Sequence, residues 1–345
     1  MIEVLEATEE HTGALCALLG LAREETDRVS YFDRTPDPFL LYRHFMLRDS
    51  IVVLARERAG GGLLGCLGFY GVSALGFART VYYANDAFVT PHRRDGAVMR
   101  ALLRRALAML RARDPGCVVF AVEDIRGGLS SLRTVLRRRK IAANLDGETR
   151  YYEFDLSCGP PAGSSVAARR QPATALSPTL AEGWARNAVA MRAGTFFFPA
   201  LSGRQLLDLI SLDPKAELVT SGPPGGETAG ALLLDLKAAR RLRYTRHGAR
   251  VLGAMGRLPD PAPDPILMRT MTCLWYTDPA SGEAVVRECL RASAAAGYAY
   301  AAAADLPGPL KLDGVRFRID TRRVLAASFA PLPSQMKPAL DPAFF

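Results

Sequence analysis

The sequence predicts an α/β protein, a mixed and mostly antiparallel sheet flanked by helices, laid out twice along the chain. Three observations predict it. The first is Thr80 to Leu110, TVYYANDAFVTPHRRDGAVMRALLRRALAML, where β-branched and aromatic residues end at Thr90-Pro91 and a helical period begins after a basic turn. The second is the stretch 158–180, CGPPAGSSVAARRQPATALSPTL, rich in Pro, Gly, Ser and Ala and without a period, which reads as a linker between residues 1–157 and 181–345. The third is that the later half repeats the earlier one in coarse form, with Trp275-Tyr276-Thr277-Asp278-Pro279 standing where Phe88-Val89-Thr90-Pro91 stands before.

Each element has a local reason. Ile2 to Leu5 reads as a short strand, followed by an amphipathic helix to about residue 23 with Leu15, Leu18, Leu19 and Ala22 on one face. Asp37-Pro38 suits the cap and first turn of a helix running through Phe39 to Phe45. Ser50 to Glu57 and Leu63 to Tyr70 form a hairpin about Gly60 to Gly62. After the central strand come Val98, Leu102, Leu103, Ala106, Met109 and Leu110 at helical spacing, with Arg100, Arg104 and Arg111 on another face. Cys117 to Val122 is a buried strand, Leu129 to Arg138 a helix and Tyr151 to Leu156 a strand. In the second half, helical stretches between Ala181 and Ile210 lead to strands at Ala216 to Thr220 and Ala229 to Leu236. A strand at Leu267 to Thr277, a helix at Glu283 to Ala295 and a strand at Tyr298 to Ala304 complete the repeat.

Composition narrows the class. With 345 residues, 49% of them hydrophobic and 23% charged, the chain is long enough for two globular cores. It shows no apolar run of membrane-spanning length, and its acidic start, MIEVLEATEEHTG, is unlike a signal peptide, so a cytoplasmic location is expected. The six cysteines are scattered, without a C-x-x-C pair, and read as buried thiols of a reducing compartment. The four histidines never pair at ligand spacing, so neither a metal site nor a histidine-based triad is expected. The net charge of +9 comes from arginine clusters such as Arg93-Arg94, Arg104-Arg105 and Arg137 to Lys140. Such a surface favours polyanionic partners, or is simply a solvated face. Charge alone supports nucleic acid, because no recognition motif or interleaved aromatic accompanies it.

The helix that follows Gly96 offers its free N–H groups just past a strand end, beside Arg93 and Arg94, where an anionic group is held by donors, dipole and guanidinium together. Val89-Thr90-Pro91-His92-Arg93-Arg94-Asp95-Gly96-Ala97-Val98-Met99 resembles the pyrophosphate loop of the GNAT acyltransferase superfamily, V-x-P-x-x-R-x-x-G-x-G/A, with Val89, Pro91 and Arg94 in place. Ala97 and Met99 occupy the two glycine positions; a reading shifted by one recovers Gly96. The order of elements in each half is also similar to one such domain, so the resemblance implies two tandem GNAT-like domains whose central strands splay apart. It implies an acyl donor, acyl-CoA or acyl-phosphopantetheine on an acyl carrier protein, held by Phe88, Val89, Arg93, Arg94, Gly96, Ala97, Val98 and Met99. The acceptor would be the amine of a small molecule or peptide.

In the family a carboxylate commonly serves as base and a tyrosine or thiol as acid. The resemblance points to Asp86 or Glu123 as base or ammonium binder and to Tyr83 as the nearby hydroxyl, while each also fits a purely structural place in the sheet. The second loop, Ser281-Gly282-Glu283-Ala284, lacks the arginine and carries an acid, so the first half is expected to bind the donor. Two other readings stay open, an inactive tandem scaffold and a basic nucleic-acid-associated protein. The halves can bury each other's edges, which would make a monomer self-sufficient and leaves a dimer open.

Overall fold

The structure, a computed structural model, describes residues 2–25, 29–40, 50–58, 60–124, 142–157, 159–255, 264–304, 306, 310–328 and 338. The first half contains β1 (Ile2–Glu6), α1 (Thr12–Gly20), β2 (Ser30–Asp33), β3 (Ile51–Glu57), β4 (Leu63–Ser73), β5 (Thr80–Val89), α2 (Ala97–Arg113), β6 (Val118–Asp124) and β7 (Ala142–Asp155). The second contains β8 (Ala168–Pro172), α3 (Pro178–Ala190), α4 (Gly203–Ser211), β9 (Glu217–Ser221), β10 (Ala229–Leu234), β11 (Arg241–Tyr244), α5 (Arg246–Ala254), β12 (Met268–Tyr276), α6 (Pro279–Ala295), β13 (Tyr300–Ala304) and β14 (Phe317–Ser328).

Twelve strands form one sheet in the order β1-β3-β4-β5-β6-β14-β7-β13-β12-β10-β9-β8. The halves exchange strands at its centre. β14, from the end of the second half, lies between β6 and β7 and pairs antiparallel with both, while β7 continues across to pair with β13. The sheet order is therefore the same read inward from either edge. Parallel pairs occur at equivalent places, β5 with β6 and β12 with β13, and the other neighbouring strands among the described residues are antiparallel.

Each half packs one long helix on the same face. α2 buries Val98, Leu102, Leu103, Ala106 and Leu110 against β3, β4 and β6, as its spacing predicts; Leu107 is buried with them, and Met109 is half-buried. α6 starts at Pro279 behind the Asp278 cap, whose carboxylate accepts from the Ser281 N–H at 2.9 Å, and packs its apolar side on β9, β10 and β12. The other face carries a single cluster that runs through both halves, from Leu15 and Leu18 of α1 through Phe120 and Val324 to Trp184 of α3 and Leu206 of α4.

Two connections clasp the halves reciprocally. β2, after the first helix of the first half, pairs with β11 from the β10–β12 connection of the second. Conversely, the segment between α3 and α4 pairs with the β4–β5 connection of the first half: the Leu75 N–H donates to Phe198 O at 2.8 Å and the Phe197 N–H to Leu75 O at 3.2 Å. A half-buried ion pair ties the first clasp, from Arg243 to Asp33, and Arg243 also meets the exposed Asp264 of its own half.

Several expectations are revised. Part of the stretch 158–180, read as a linker, forms the edge strand β8 and the start of α3, which Ser177 caps. The composition there is that of an edge, with Pro172 ending the ladder and Arg169 and Arg170 paired to acids on the neighbouring segments. The helical stretches expected between Ala181 and Ile210 are present as α3 and α4, separated around Pro199 and restarted by the Ser202-Gln205 capping box. β2, β11, α5 and β14 have no counterpart in the sequence reading. The helices expected over Phe39 to Phe45, beyond residue 40, and over Leu129 to Arg138 lie outside the described residues.

Candidate active site

β5 leaves its parallel partner early. It pairs with β6 only from Val81 to Ala84, so Asn85 to Val89 and Val122 to Asp124 flank a cleft. The cause is a bulge: between the pairs Cys66↔Phe88 and Gly68↔Asn85, two residues of β5 oppose one of β4. Asp86 takes up the extra length in the left-handed region, at φ 50°, a conformation tolerated best by glycine, asparagine and aspartate. The second half repeats this device. β12 bulges against β10 between Gly230 and Leu232, with Cys273 at φ 53°, and pairs with β13 only from Met268 to Thr270. Asp86 thus corresponds to Cys273, Ala87 to Leu274, Phe88 to Trp275 and Val89 to Tyr276. The match extends to the strand ends, where the Thr90 N–H donates to Leu64 O at 2.9 Å and the Thr277 N–H to Thr228 O at 2.7 Å.

Asp86 is the centre of a polar cluster beneath the first cleft. Its Oδ1 accepts from Arg34 Nη2 at 3.1 Å and its Oδ2 from the Tyr70 hydroxyl at 2.7 Å, while its backbone carbonyl accepts from Cys66 Sγ at 3.1 Å. The Arg34 side chain is 3% exposed and that of Asp86 12%. Cys66, Gly68 and Tyr70 alternate onto one face of β4, and Gly68 is what lets the ring lie down: a Cβ there would stand 2.3 Å from the Tyr70 hydroxyl oxygen. Burial, then the Asp86 carboxylate, pushes the Cys66 thiol up. The same two causes push Tyr83 up to about 12, against the opposing charges of Arg34, Arg240 and Arg322. Tyr83 is buried in the aromatic core, its ring on Phe120 with centroids 5.2 Å apart. Glu123 lies on β6 opposite Arg323 of β14; its side chain is outside what is described.

At the mouth, Arg93, Arg94, Asp95 and Gly96 form the turn into α2. Gly96 adopts φ 80°, which fits glycine at that place, and the Ala97 N–H donates to Asp95 Oδ1 at 2.8 Å. Arg93 is ion-paired with Glu57 and Arg94 with the buried Glu25; Arg94 Nε also donates to Val89 O at 3.3 Å. Val98 is buried behind the turn and Met99 half-buried, so both belong to the helix's packed side. Both arginines are about half exposed at the loop, next to the cleft.

The two clefts differ in what fills them. Because the Thr277 and Thr90 N–H groups face the neighbouring antiparallel strand, alternation turns the N–H of Tyr276 and of Val89 toward the cleft side. In the second half those groups are occupied from within: Arg192 Nη1 donates to Leu274 O at 2.8 Å and the Tyr276 N–H to Met191 Sδ at 3.2 Å. Arg192 is buried, its guanidinium 4.5 Å from the centre of the Phe198 ring, and Leu274 is buried with it. In the first half Ala87 is exposed, and among the described residues no such clamp holds Ala87 O or the Val89 N–H.

Sequence reasoning singled out Asp86, the loop and the strand that precedes it, which the structure places around one strand end, and did not name Arg34, Tyr70, Gly68 or Arg192. Tyr70 and Gly68 had a signal in the hairpin alternation, once β4 is set against β5. Arg34 and Arg192 reach their partners from irregular segments and had none. Among the described residues no group of His, Cys, Asp and Glu is placed to hold a metal ion, and no helix is long and apolar enough to cross a membrane.

No family model matches the sequence, and no curated protein sequence matches it. Solved structures do match in fold. A GCN5-related N-acetyltransferase from Sphaerobacter thermophilus superposes with a TM-score of 0.59 at 11% identity, over 97% of this chain and 98% of that one. A tandem GNAT protein from the clavulanic acid biosynthesis pathway gives 0.59 at 13% identity, over 96% and 100%. Saccharomyces cerevisiae N-myristoyltransferase with bound myristoyl-CoA gives 0.56 at 10% identity, over 99% of this chain and 84% of that one.

Proposed function

We propose that this chain, which has the tandem GNAT fold along its length, is an N-acyltransferase that moves an acyl group from a pantetheine thioester to the amine of a small molecule or peptide. The donor lies in the first cleft, its amides along Phe88 and Val89 and its phosphate at the turn of Arg93, Arg94 and Gly96. The second half closes and braces the first. The observation that carries this reading is the asymmetry of the clefts: Ala87 is exposed, whereas its counterpart Leu274 is buried with its carbonyl held by Arg192.

A neutral amine attacks the thioester carbonyl, a C–N bond forms, the C–S bond breaks, the amine proton passes to a carboxylate or water and the thiolate takes a proton. Asp86 has both carboxylate oxygens engaged, by Arg34 and Tyr70, which suits an orienting role at the bulge better than capture of a free proton. Glu123 then remains the base candidate, and Tyr83, buried with a raised pKa, suits the core rather than the role of acid. Acyl-CoA and acyl carrier protein both meet the loop's chemistry. Arg93 and Arg94 must leave Glu57 and Glu25 to meet phosphate, and a carrier-linked donor brings one phosphodiester where coenzyme A brings a pyrophosphate.

The test is calorimetric titration with coenzyme A and with a phosphopantetheinylated carrier protein, using wild type and Arg94→Ala. Binding of either donor that weakens about tenfold or more in the variant supports the first-half site. Absence of binding by both moves the reading to an inactive tandem scaffold.

A further inference from the structure

Where β5 and β6 part, one face of the sheet is covered by aromatic rings. The last paired residues of the two strands are Ala84 and Ala121, and one register step deeper Tyr83 stands opposite Phe120. Phe120 in turn packs on Phe197 with centroids 4.6 Å apart, and Phe197 on Phe77 at 5.1 Å. Phe120 is 1% exposed and Phe197 fully buried. Phe197 belongs to the second half and is fixed there from both sides. Its backbone sits at φ 68°, and its own N–H and the carbonyl of Phe198 are both bonded to Leu75 of the first half. A ring held by backbone ladders in a close-packed cluster does not step aside without disturbing its neighbours.

From this arrangement we infer that the first cleft accepts only short acyl groups, and that Phe197, supplied by the second half, sets the limit on chain length. The inference rests on the donor site proposed above. An acetyl or butyryl chain ends before the wall formed by Tyr83, Phe120 and Phe197, whereas an octanoyl or myristoyl chain must displace rings that already touch. The second half thereby acts on the selectivity of the first through one side chain, without touching the phosphate loop.

The experiment measures binding of coenzyme A and its acetyl, butyryl, octanoyl and myristoyl thioesters to the full chain, as wild type, Phe197→Leu and Phe197→Ala. The leucine variant keeps most of the packing should the alanine variant fail to fold. In wild type, octanoyl-CoA is expected to bind about tenfold or more weakly than acetyl-CoA, and the variants to recover most of that difference while binding of coenzyme A itself stays unchanged. Octanoyl-CoA binding wild type as tightly as acetyl-CoA would overturn the inference. So would a chain-length discrimination that persists in a folded variant. Failure of coenzyme A itself to bind would remove the coenzyme A donor and this inference together, a result distinct from the other two.

Discussion

Replacing Arg192 by methionine tests the asymmetry between the clefts directly. The arginine is buried, donates to Leu274 O at 2.8 Å and lies over the Phe198 ring at 4.5 Å. Methionine fills a similar slot without the guanidinium. A charge-assisted bond to a buried carbonyl is worth about 1.5–3 kcal/mol, and its loss leaves that carbonyl unsatisfied. A desolvated cation over an aromatic face adds about 1–2 kcal/mol. The expected loss is therefore about 4 kcal/mol, a large part of the ~5–15 kcal/mol that keeps a domain folded. Urea denaturation followed by fluorescence of Trp184 and Trp275, whose rings stand 5.9 Å apart nearby, reports the change where it happens. Donor binding by the folded variant should equal that of wild type, since the first cleft is untouched. A variant as stable as wild type would refute the idea that Arg192 holds the second cleft shut, and a folded variant that no longer binds donor would refute placing the donor in the first.

Two further substitutions probe the supporting structure. Gly68→Ala puts a methyl group 2.3 Å from the Tyr70 hydroxyl and should cost about 1–3 kcal/mol by pushing that hydroxyl off Asp86; in a Tyr70→Phe background the cost should shrink, and thermal melts showing strictly additive losses would sink the explanation. Asp33→Asn addresses the clasp. Burial tends to raise the Asp33 pKa, but bonds from the Thr35 backbone and hydroxyl and from Arg243 outweigh it and lower it. A lowered folded pKa means that the carboxylate contributes stability above its ordinary pKa of about 3.9 and loses that contribution as pH falls through the lower folded value. The asparagine variant should therefore be less stable than wild type near neutrality, by about 1–3 kcal/mol, with the gap closing in acid. A gap of constant size across the acid range would show that charge is not the cause.

Much of the fold was legible because it is local. The Gly60 to Gly62 turn between β3 and β4, the period of α2 and the helix over Glu283 to Ala295 each follow from a few neighbouring residues, although α6 begins earlier than expected, at Pro279 behind its Asp278 cap. So did the correspondence of the two strand ends, Thr90 with Thr277. The exchange of strands was not legible. β14 reads FRIDTRRVLAAS, with arginines interrupting its alternation, and nothing within it names two partners nearly two hundred residues earlier. The splay of the central strands was implied by the resemblance, but the residue that takes up the bulge was not legible: Asp86 and Cys273 share a backbone conformation but no side-chain chemistry, so the likeness exists only in φ. The polar cluster escaped because Arg34 arrives from an irregular segment, where spacing carries no direction.

The exchange at the centre of the sheet also sets a timetable. During synthesis β6 and β7 emerge long before Ser328, and the place between them waits for β14. Until then the first half presents two unpaired strand borders at its middle, and the hydrophobic cluster shared by both halves lacks Val324 and Ala326. The place between β6 and β7 is thus filled late, and the interval before β14 arrives is when a nascent copy is most exposed to wrong pairing with a neighbour.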